Sequence, residues 1–213
     1  MIQKTVLLLI VLFSATSLKA QENKKGILAV KKIGLLFNSG NENNILFNDK
    51  DYYFQTKVLK IQAFYTLGKW KNIDFELIVQ PQIQSIKHQL INEQFVLPTE
   101  EHYLEKRTEF TRLKNLNLYA VELGFVLRKK ILKKVHIQAT IGLGIASINK
   151  RTERLAKGFT FIENAALGIS YQTSNTTFLY IGSSIGHISN LNFKSPNSGY
   201  NILGYEIGLS FIL

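Results

Sequence analysis

The stretch VHIQATIGLGIAS at residues 135–147 decides the fold that the sequence predicts. Along it, apolar side chains alternate with polar or small ones, which is the two-residue period of a β-strand with one apolar face. The same alternation recurs in residues 117–127 and 73–83. Segments rich in Asn, Gly, Lys and Thr separate such runs, and only three prolines occur in the chain. The sequence therefore predicts an all-β protein built from antiparallel strands.

The connections between strands alternate in length. Eight strands are predicted, at residues 27–37, 53–67, 72–86, 116–128, 134–148, 158–171, 176–189 and 200–213. Short connections (68–71, 129–133, 172–175) alternate with long ones (38–52, 87–115, 149–157, 190–199). Outer-membrane barrels have tight periplasmic turns and longer extracellular loops. We therefore expect an eight-stranded antiparallel transmembrane (outer-membrane) β-barrel, with a soluble sandwich or barrel as the alternative because soluble sheets also alternate.

The last predicted strand supports a barrel. Its apolar residues share one face up to the last residue: Tyr205, Ile207, Leu209, Phe211 and Leu213. A strand of this kind can close a barrel against the first strand and leave no unpaired edge in lipid.

A secretory leader is predicted at residues 1–20. Lys4 provides a positive start, residues 6–13 an apolar run and residues 14–20 a mostly small-residue exit, with cleavage after Ala20. The apolar run is shorter than the roughly 20 residues of a transmembrane helix. We therefore expect a signal peptide at 1–20, one barrel domain at 21–213 and a location in the outer membrane.

The composition narrows the chemistry. The chain has a net charge of +11, and removal of Lys4 and Lys19 with the leader would leave +9. Such a charge suits nucleic acid, an anionic membrane surface or a phosphorylated glycolipid. The leader favours outer-membrane lipids as partners, and we expect no nucleic acid.

Metal and thiol chemistry are not expected. The chain has no cysteine, which excludes a disulfide, a thiolate zinc site and a cysteine nucleophile. The histidines other than His187 show no metal-ligand spacing with one another or with it: His88, His102 and His136. We expect no metal and no cofactor.

The seventh predicted strand carries a candidate base and nucleophile. Neighbouring residues of a strand point to opposite sides of the sheet, so His187 and Ser189 continue the outward apolar stripe of Leu179, Ile181, Ser183 and Ile185. They lie at the end of the strand that adjoins a long loop. Their Cα atoms would be roughly 6.5–7 Å apart, which lets an imidazole reach a hydroxyl. The alternative is a polar pair at the headgroup boundary without chemistry.

The sequence around this pair resembles a known family. GHISN at residues 186–190, followed by SPNSGYN at 195–201, resembles the signature of the lipid A 3-O-deacylase (acyloxyacyl hydrolase-like) outer-membrane family. LGKW at 67–70 and QP at 80–81 are also similar to what bacterial relatives carry. The resemblance implies an eight-stranded outer-membrane barrel with its active site on the lipid-facing wall near the outer leaflet. It implies a serine esterase that cuts an ester-linked hydroxyacyl chain from lipid A of lipopolysaccharide.

The resemblance also implies residue roles. His187 would be the general base and Ser189 the nucleophile, because histidine titrates near neutral pH and a serine hydroxyl needs a base. Asn190, or a nearby backbone N–H, would stabilise the oxyanion.

The third catalytic member departs from the family pattern. The best-known deacylases have a glutamate where this chain, aligned through Pro196 and Gly199, has Asn201. Asn201 should face outward beside His187, and an amide can hold an imidazole. Glu163, outward on the sixth strand and paired near Ile185, is the other candidate for this role, unless it is a rim residue that binds lipid headgroups.

Three functions are compatible with the sequence. The first is lipid A deacylation, the second a non-enzymatic structural or adhesive barrel, and the third an acyltransferase with another lipid as acceptor. The acyl chain that is removed, regulation and the pairing of barrels as a homodimer are left open.

Overall fold

Eight antiparallel strands form a closed barrel in chain order in the computed structural model, which describes residues 29–213. They are β1 (Val30–Asn41), β2 (Tyr52–Trp70), β3 (Ile73–Leu90), β4 (Lys114–Lys130), β5 (Val135–Ile148), β6 (Gly158–Gln172), β7 (Thr177–Ser189) and β8 (Tyr200–Ile212). β1 and β8 pair from Lys32 opposite Ile212 to Asn41 opposite Leu203, which closes the sheet. The predicted eight-stranded barrel is confirmed. The predicted signal peptide lies outside the described residues.

Several strand ends differ from the predicted ones, and β1 and β3 each end four residues later than expected. β2 continues to Trp70, so Gly68 is not in the first turn: the pairing of β2 with β3 shifts register between Thr66 and Gly68, and the turn follows at Lys71 with φ 53°. The long connection after β3 shortens to 91–113 and contains a 3-10 turn (Glu93–Phe95) and the helix α1 (Tyr103–Phe110). A search for two-residue alternation could not indicate that helix.

The two faces of the wall differ in polarity. Large apolar side chains are exposed on the outside of every strand, among them Leu35, Ile61, Ile83, Phe125, Ile141, Leu167, Ile181 and Ile207. Inside, Lys60 Nζ lies 2.8 Å from Glu122 Oε2, and Gln82 donates to the same oxygen at 2.8 Å. An apolar outside and a polar inside are what a membrane-spanning barrel requires, and pairing offsets the cost of burying charge.

The loop end of the lumen is closed by apolar and aromatic side chains. Tyr200 and Phe54 stack there with ring centroids 4.4 Å apart. The connection 149–157, called here the mouth loop, folds over them and buries Leu155 completely. It also places Thr152 against the Tyr200 hydroxyl. The mouth loop is thus fixed to the barrel interior.

Candidate active site

Strands β6, β7 and β8 bring three of the predicted site residues into one row. His187 pairs with Glu163 on β6 and with Asn201 on β8. Its neighbour in parity, Ile185, is 45% exposed, whereas Ile188 is 2% exposed inside the barrel. The row therefore lies on the outer wall, at the end of β7 that adjoins the connection 190–199.

The imidazole of His187 is held by an amide. Nδ1 of His187 lies 2.7 Å from Oδ1 of Asn201, and the histidine is half-buried. With Oδ1 as the acceptor, the hydrogen is on Nδ1, and the lone pair of the neutral ring is at Nε2. A ring held in this tautomer can accept a proton at Nε2.

Ser189 follows on the same strand but is covered. It is only 6% exposed, and Thr160 Oγ1 donates to its carbonyl at 2.6 Å. Phe161 stands opposite it on β6, and the ring of Phe193 lies 6.1 Å from that of Phe161. Among residues 29–213, no hydrogen bond joins the side chains of His187 and Ser189; such bonds are often long before substrate binds.

Asn190 uses its donors to order the connection 190–199. Its side-chain amide donates to Lys194 O at 2.6 Å, and its backbone N–H donates to Asn197 Oδ1. The next two residues, Leu191 and Asn192, have φ of 52° and 62°. Within the described chain their N–H groups donate to no protein acceptor, which leaves two donors free shortly after Ser189 in the chain.

Glu163 is the direct cross-strand neighbour of His187 on β6. Its side chain is exposed and makes no hydrogen bond within the described part of the chain. It pairs directly with His187 rather than with Ile185, because β6 continues through Gln172 and the turn is at 173–176.

Sequence reasoning missed Gly199. Its φ is +67°, and a Cβ there would lie 2.7 Å from Ile188 O and 3.0 Å from Cε1 of His187. Only glycine allows this backbone to pack against the imidazole. In the sequence, Gly199 served only to align the motif; its left-handed backbone and its contact with the ring depend on the fold.

No helix in residues 29–213 is both long and apolar enough to cross a bilayer. The closed barrel, with its apolar outside and long connections at one end, defines the class of outer-membrane β-barrel proteins. The chain belongs to a particular family within that class. A family model described as Lipid A 3-O-deacylase (PagL) matches residues 87–210, more than half of the chain and all of the candidate site. Membership places the protein in the outer membrane and, at the level of the family, among ester hydrolases.

Several solved structures of outer-membrane proteins are similar to this chain. The crystal structure of the outer membrane enzyme PagL is similar over 85% of this chain and 99% of that chain, with 11% identity and a TM-score of 0.54. Neisserial surface protein A is 12% identical over 85% of this chain and 96% of that chain, with a TM-score of 0.45. The outer membrane protein OprG from Pseudomonas aeruginosa is 7% identical over 86% and 96%, with a TM-score of 0.40. No curated protein sequence matches the chain.

Proposed function

We propose that this protein is a lipid A deacylase: a serine esterase that hydrolyses an ester-linked hydroxyacyl chain of lipopolysaccharide in the outer leaflet. The observation that carries the proposal is the 2.7 Å hydrogen bond between His187 and Asn201 on the lipid-facing wall, two residues from Ser189. The family supports lipid A as the substrate. The outer wall is where a lipid-borne ester arrives by lateral diffusion.

The proposed reaction is a two-step acyl transfer to water. Nε2 of His187 takes the proton of Ser189 while Oγ attacks the ester carbonyl; the tetrahedral intermediate then expels the sugar alkoxide, which receives the proton from the imidazolium. In the second step, water activated by the same nitrogen releases the hydroxy fatty acid and restores Ser189. Each step returns the proton that it removes, so no cofactor is required.

Two groups support the charges that develop. The Asn201 amide keeps Nδ1 in place, as in hydrolases that use asparagine as the third member. Glu163 is the cross-strand neighbour of His187, and a carboxylate that reaches the ring from there would stabilise the imidazolium without orienting it. The free N–H groups of Leu191 and Asn192 support a backbone oxyanion hole, and Asn190 shapes the loop that presents them.

Substrate has to uncover Ser189 before the reaction. Phe193 is 72% exposed on the connection 190–199, and Phe159 and Phe161 extend the aromatic surface next to it. We propose that an acyl chain docks on these three rings and shifts the connection 190–199, which exposes the hydroxyl. The same apolar rings then shield the reacting ester from water.

Mass spectrometry of lipid A after incubation with the purified protein tests the proposal. We expect the loss of one hydroxyacyl mass with the wild type and no loss with Ser189→Ala. Ser183→Ala is the matched control, since Ser183 faces outward on the same strand and donates to Gly204 O at 3.1 Å, away from the row. An unchanged lipid with folded wild type would indicate a structural barrel, and a gain of mass an acyltransferase. Activity that survives in Ser189→Ala would refute the nucleophile.

A further inference from the structure

Arg154, in the mouth loop, forms two hydrogen bonds with the backbone of Gly199. Its Nε donates to Gly199 O at 2.9 Å, and its carbonyl accepts from Gly199 N–H at 3.1 Å. The two residues are 45 positions apart and belong to different connections. This reciprocal pair fixes where the strand β8 begins relative to the mouth loop.

Arg154 is itself held on its other sides. Its Nη1 lies 3.4 Å from Asp49 Oδ2, and its side chain is only 14% exposed. The guanidinium also lies over two rings, 4.4 Å from the centroid of Tyr52 and 5.2 Å from that of Phe95. A planar guanidinium that uses donors and faces together is rigid, unlike an exposed surface cation. Because its guanidinium is fixed, Arg154 can hold the Gly199 backbone in place and does not act through its charge alone.

Gly199 in turn packs against the imidazole of His187. Its α-carbon is so close to His187 that an added Cβ would lie 3.3 Å from Nε2. The imidazole is thus bounded at Nδ1 by Asn201 and along its Cε1–Nε2 edge by the backbone that Arg154 holds. Asn201 alone leaves the ring free to swing about its hydrogen bond.

We infer that Arg154 is a positioning residue, which holds Gly199 against His187 and so fixes the orientation of the imidazole beside Ser189. The inference rests on the proposed function, and Arg154 would not contact the substrate. A basic residue near this rim could instead bind a phosphate of lipid A. The guanidinium argues against that role, because it is already engaged by Gly199 and Asp49 and packs on two rings.

Kinetics on lipid A separate these roles. In Arg154→Met we expect kcat to fall about tenfold with KM within about twofold, since a small misplacement of a catalytic group costs rate rather than binding. Arg154→Lys restores the charge but not the fork, so we expect a similar loss. The matched control is Arg151→Met in the same loop. Arg151 is 57% exposed and forms an ion pair with Glu109 of the helix α1, not with the candidate site. Its kcat should equal that of the wild type.

Two outcomes of the kinetics would overturn the inference. A rise in KM at constant kcat in Arg154→Met would make Arg154 a substrate-binding residue. An equal loss of kcat in Arg151→Met would show that any weakening of the mouth loop has the same effect. Gel mobility without boiling checks that each variant forms a closed barrel.

A readout of His187 that needs no activity keeps this inference apart from the proposed function. In protein labelled with ¹³C and ¹⁵N at histidine and held in detergent micelles, the His187 ring signals are assigned with His187→Gln. We expect them to shift and broaden in Arg154→Met and to stay unchanged in Arg151→Met. An unchanged His187 signal in Arg154→Met refutes the inference. A shifted signal in a protein that never deacylates lipid A would refute only the proposed function.

Discussion

Two histidines with oxygen partners lie near the same rim of the barrel, one inside and one outside. His88 Nε2 is 2.8 Å from Glu153 Oε2, and both side chains are buried to 1% exposure or less. His187 is bonded to an amide, is half-buried and has a serine two residues away. By partner type alone, the inner pair resembles a catalytic dyad more than the outer pair does. The difference shows that access and a neighbouring nucleophile, rather than a carboxylate, distinguish the outer site.

The mouth loop joins the two histidines. Glu153 points into the lumen to His88, and its neighbour Arg154 reaches Gly199 beside His187. Glu153 thus anchors the mouth loop inside the barrel, and the adjacent Arg154 supports the candidate site outside it. The pair of His88 and Glu153 stabilises the loop whose next residue holds Gly199 beside His187.

The largest effect on this comparison is expected from Gly199→Ala. The new Cβ would meet Ile188 O at 2.7 Å and Cε1 of His187 at 3.0 Å, with a backbone φ of +67° that alanine disfavours. We expect kcat on lipid A to fall by roughly 100-fold through displacement of the imidazole. Gly158→Ala, at φ +115° with open space around its Cβ position, is the control for backbone strain alone. An equal loss in both variants would remove the role of the His187 contact.

The next effect separates stability from activity at the inner pair. His88→Ala leaves the buried Glu153 carboxyl without its hydrogen-bond partner, and we expect a loss of roughly 1–3 kcal/mol in the free energy of unfolding. Urea unfolding of the folded barrel measures it. Glu153→Gln keeps a hydrogen bond to His88 and should lose less. A kcat loss in His88→Ala as large as that in Gly199→Ala would contradict a purely stabilising role of the pair of His88 and Glu153.

A smaller effect decides between the two partners of the outer histidine. Asn201→Ala removes the bond to Nδ1 and is expected to lower kcat about tenfold through loss of ring orientation. Glu163→Ala, which breaks no hydrogen bond in the described chain, should lower it less. Rate measurements at saturating lipid A rank the two. A larger loss in Glu163→Ala would assign the orienting role to the carboxylate.

The smallest effect concerns an ion pair that is neither buried nor catalytic. The hydrogen bond from Arg151 holds the pKa of the Glu109 carboxyl below its usual range, assisted by Lys114. A lowered pKa in the folded state means that this stabilisation is present above the ordinary carboxyl pKa and is lost as pH falls through the lowered value. We expect Glu109→Gln to cost less than about 1 kcal/mol at neutral pH, because the pair is partly exposed.

Thermal unfolding as a function of pH measures that small effect. The difference in Tm between the wild type and Glu109→Gln should shrink at acidic pH. Glu93→Gln in the same connection, where Glu93 is exposed and forms no ion pair within residues 29–213, should match the wild type throughout. A difference that grows on acidification would contradict the direction of the pKa shift.

The outward placement of the candidate site could be predicted from parity, because neighbouring residues of a strand point to opposite sides and the outward side of β7 is apolar up to His187 except at hydroxyl residues such as Ser183. Register was harder to predict: the turn after β6 lies at 173–176, one residue later than expected, and this moved the partner of Glu163 from Ile185 to His187. A shift of the pairing register by two residues gives each residue a new neighbour on the adjacent strand, but the neighbour still lies on the same face of the sheet.

The support of the site could not be predicted. Arg154 and Gly199 meet only because two connections fold over the same rim, and nothing in either local sequence reports a contact across 45 positions. The inner pair of His88 and Glu153 is equally hidden, since it joins a strand to a loop. Local periodicity predicts the strands and which of their faces point outward, whereas contacts between loops depend on how the closed barrel brings the loops together.

The filled interior has a consequence for the cell. Across the described barrel, ion pairs such as Lys32 with Glu76 and Lys60 with Glu122 occupy the lumen, and aromatic rings and the mouth loop close one end. These side chains occupy the space that is an aqueous channel in larger barrels, so the lumen of the described barrel is packed with side chains. Many copies can stand in the permeability barrier without letting solutes or toxic compounds leak through it.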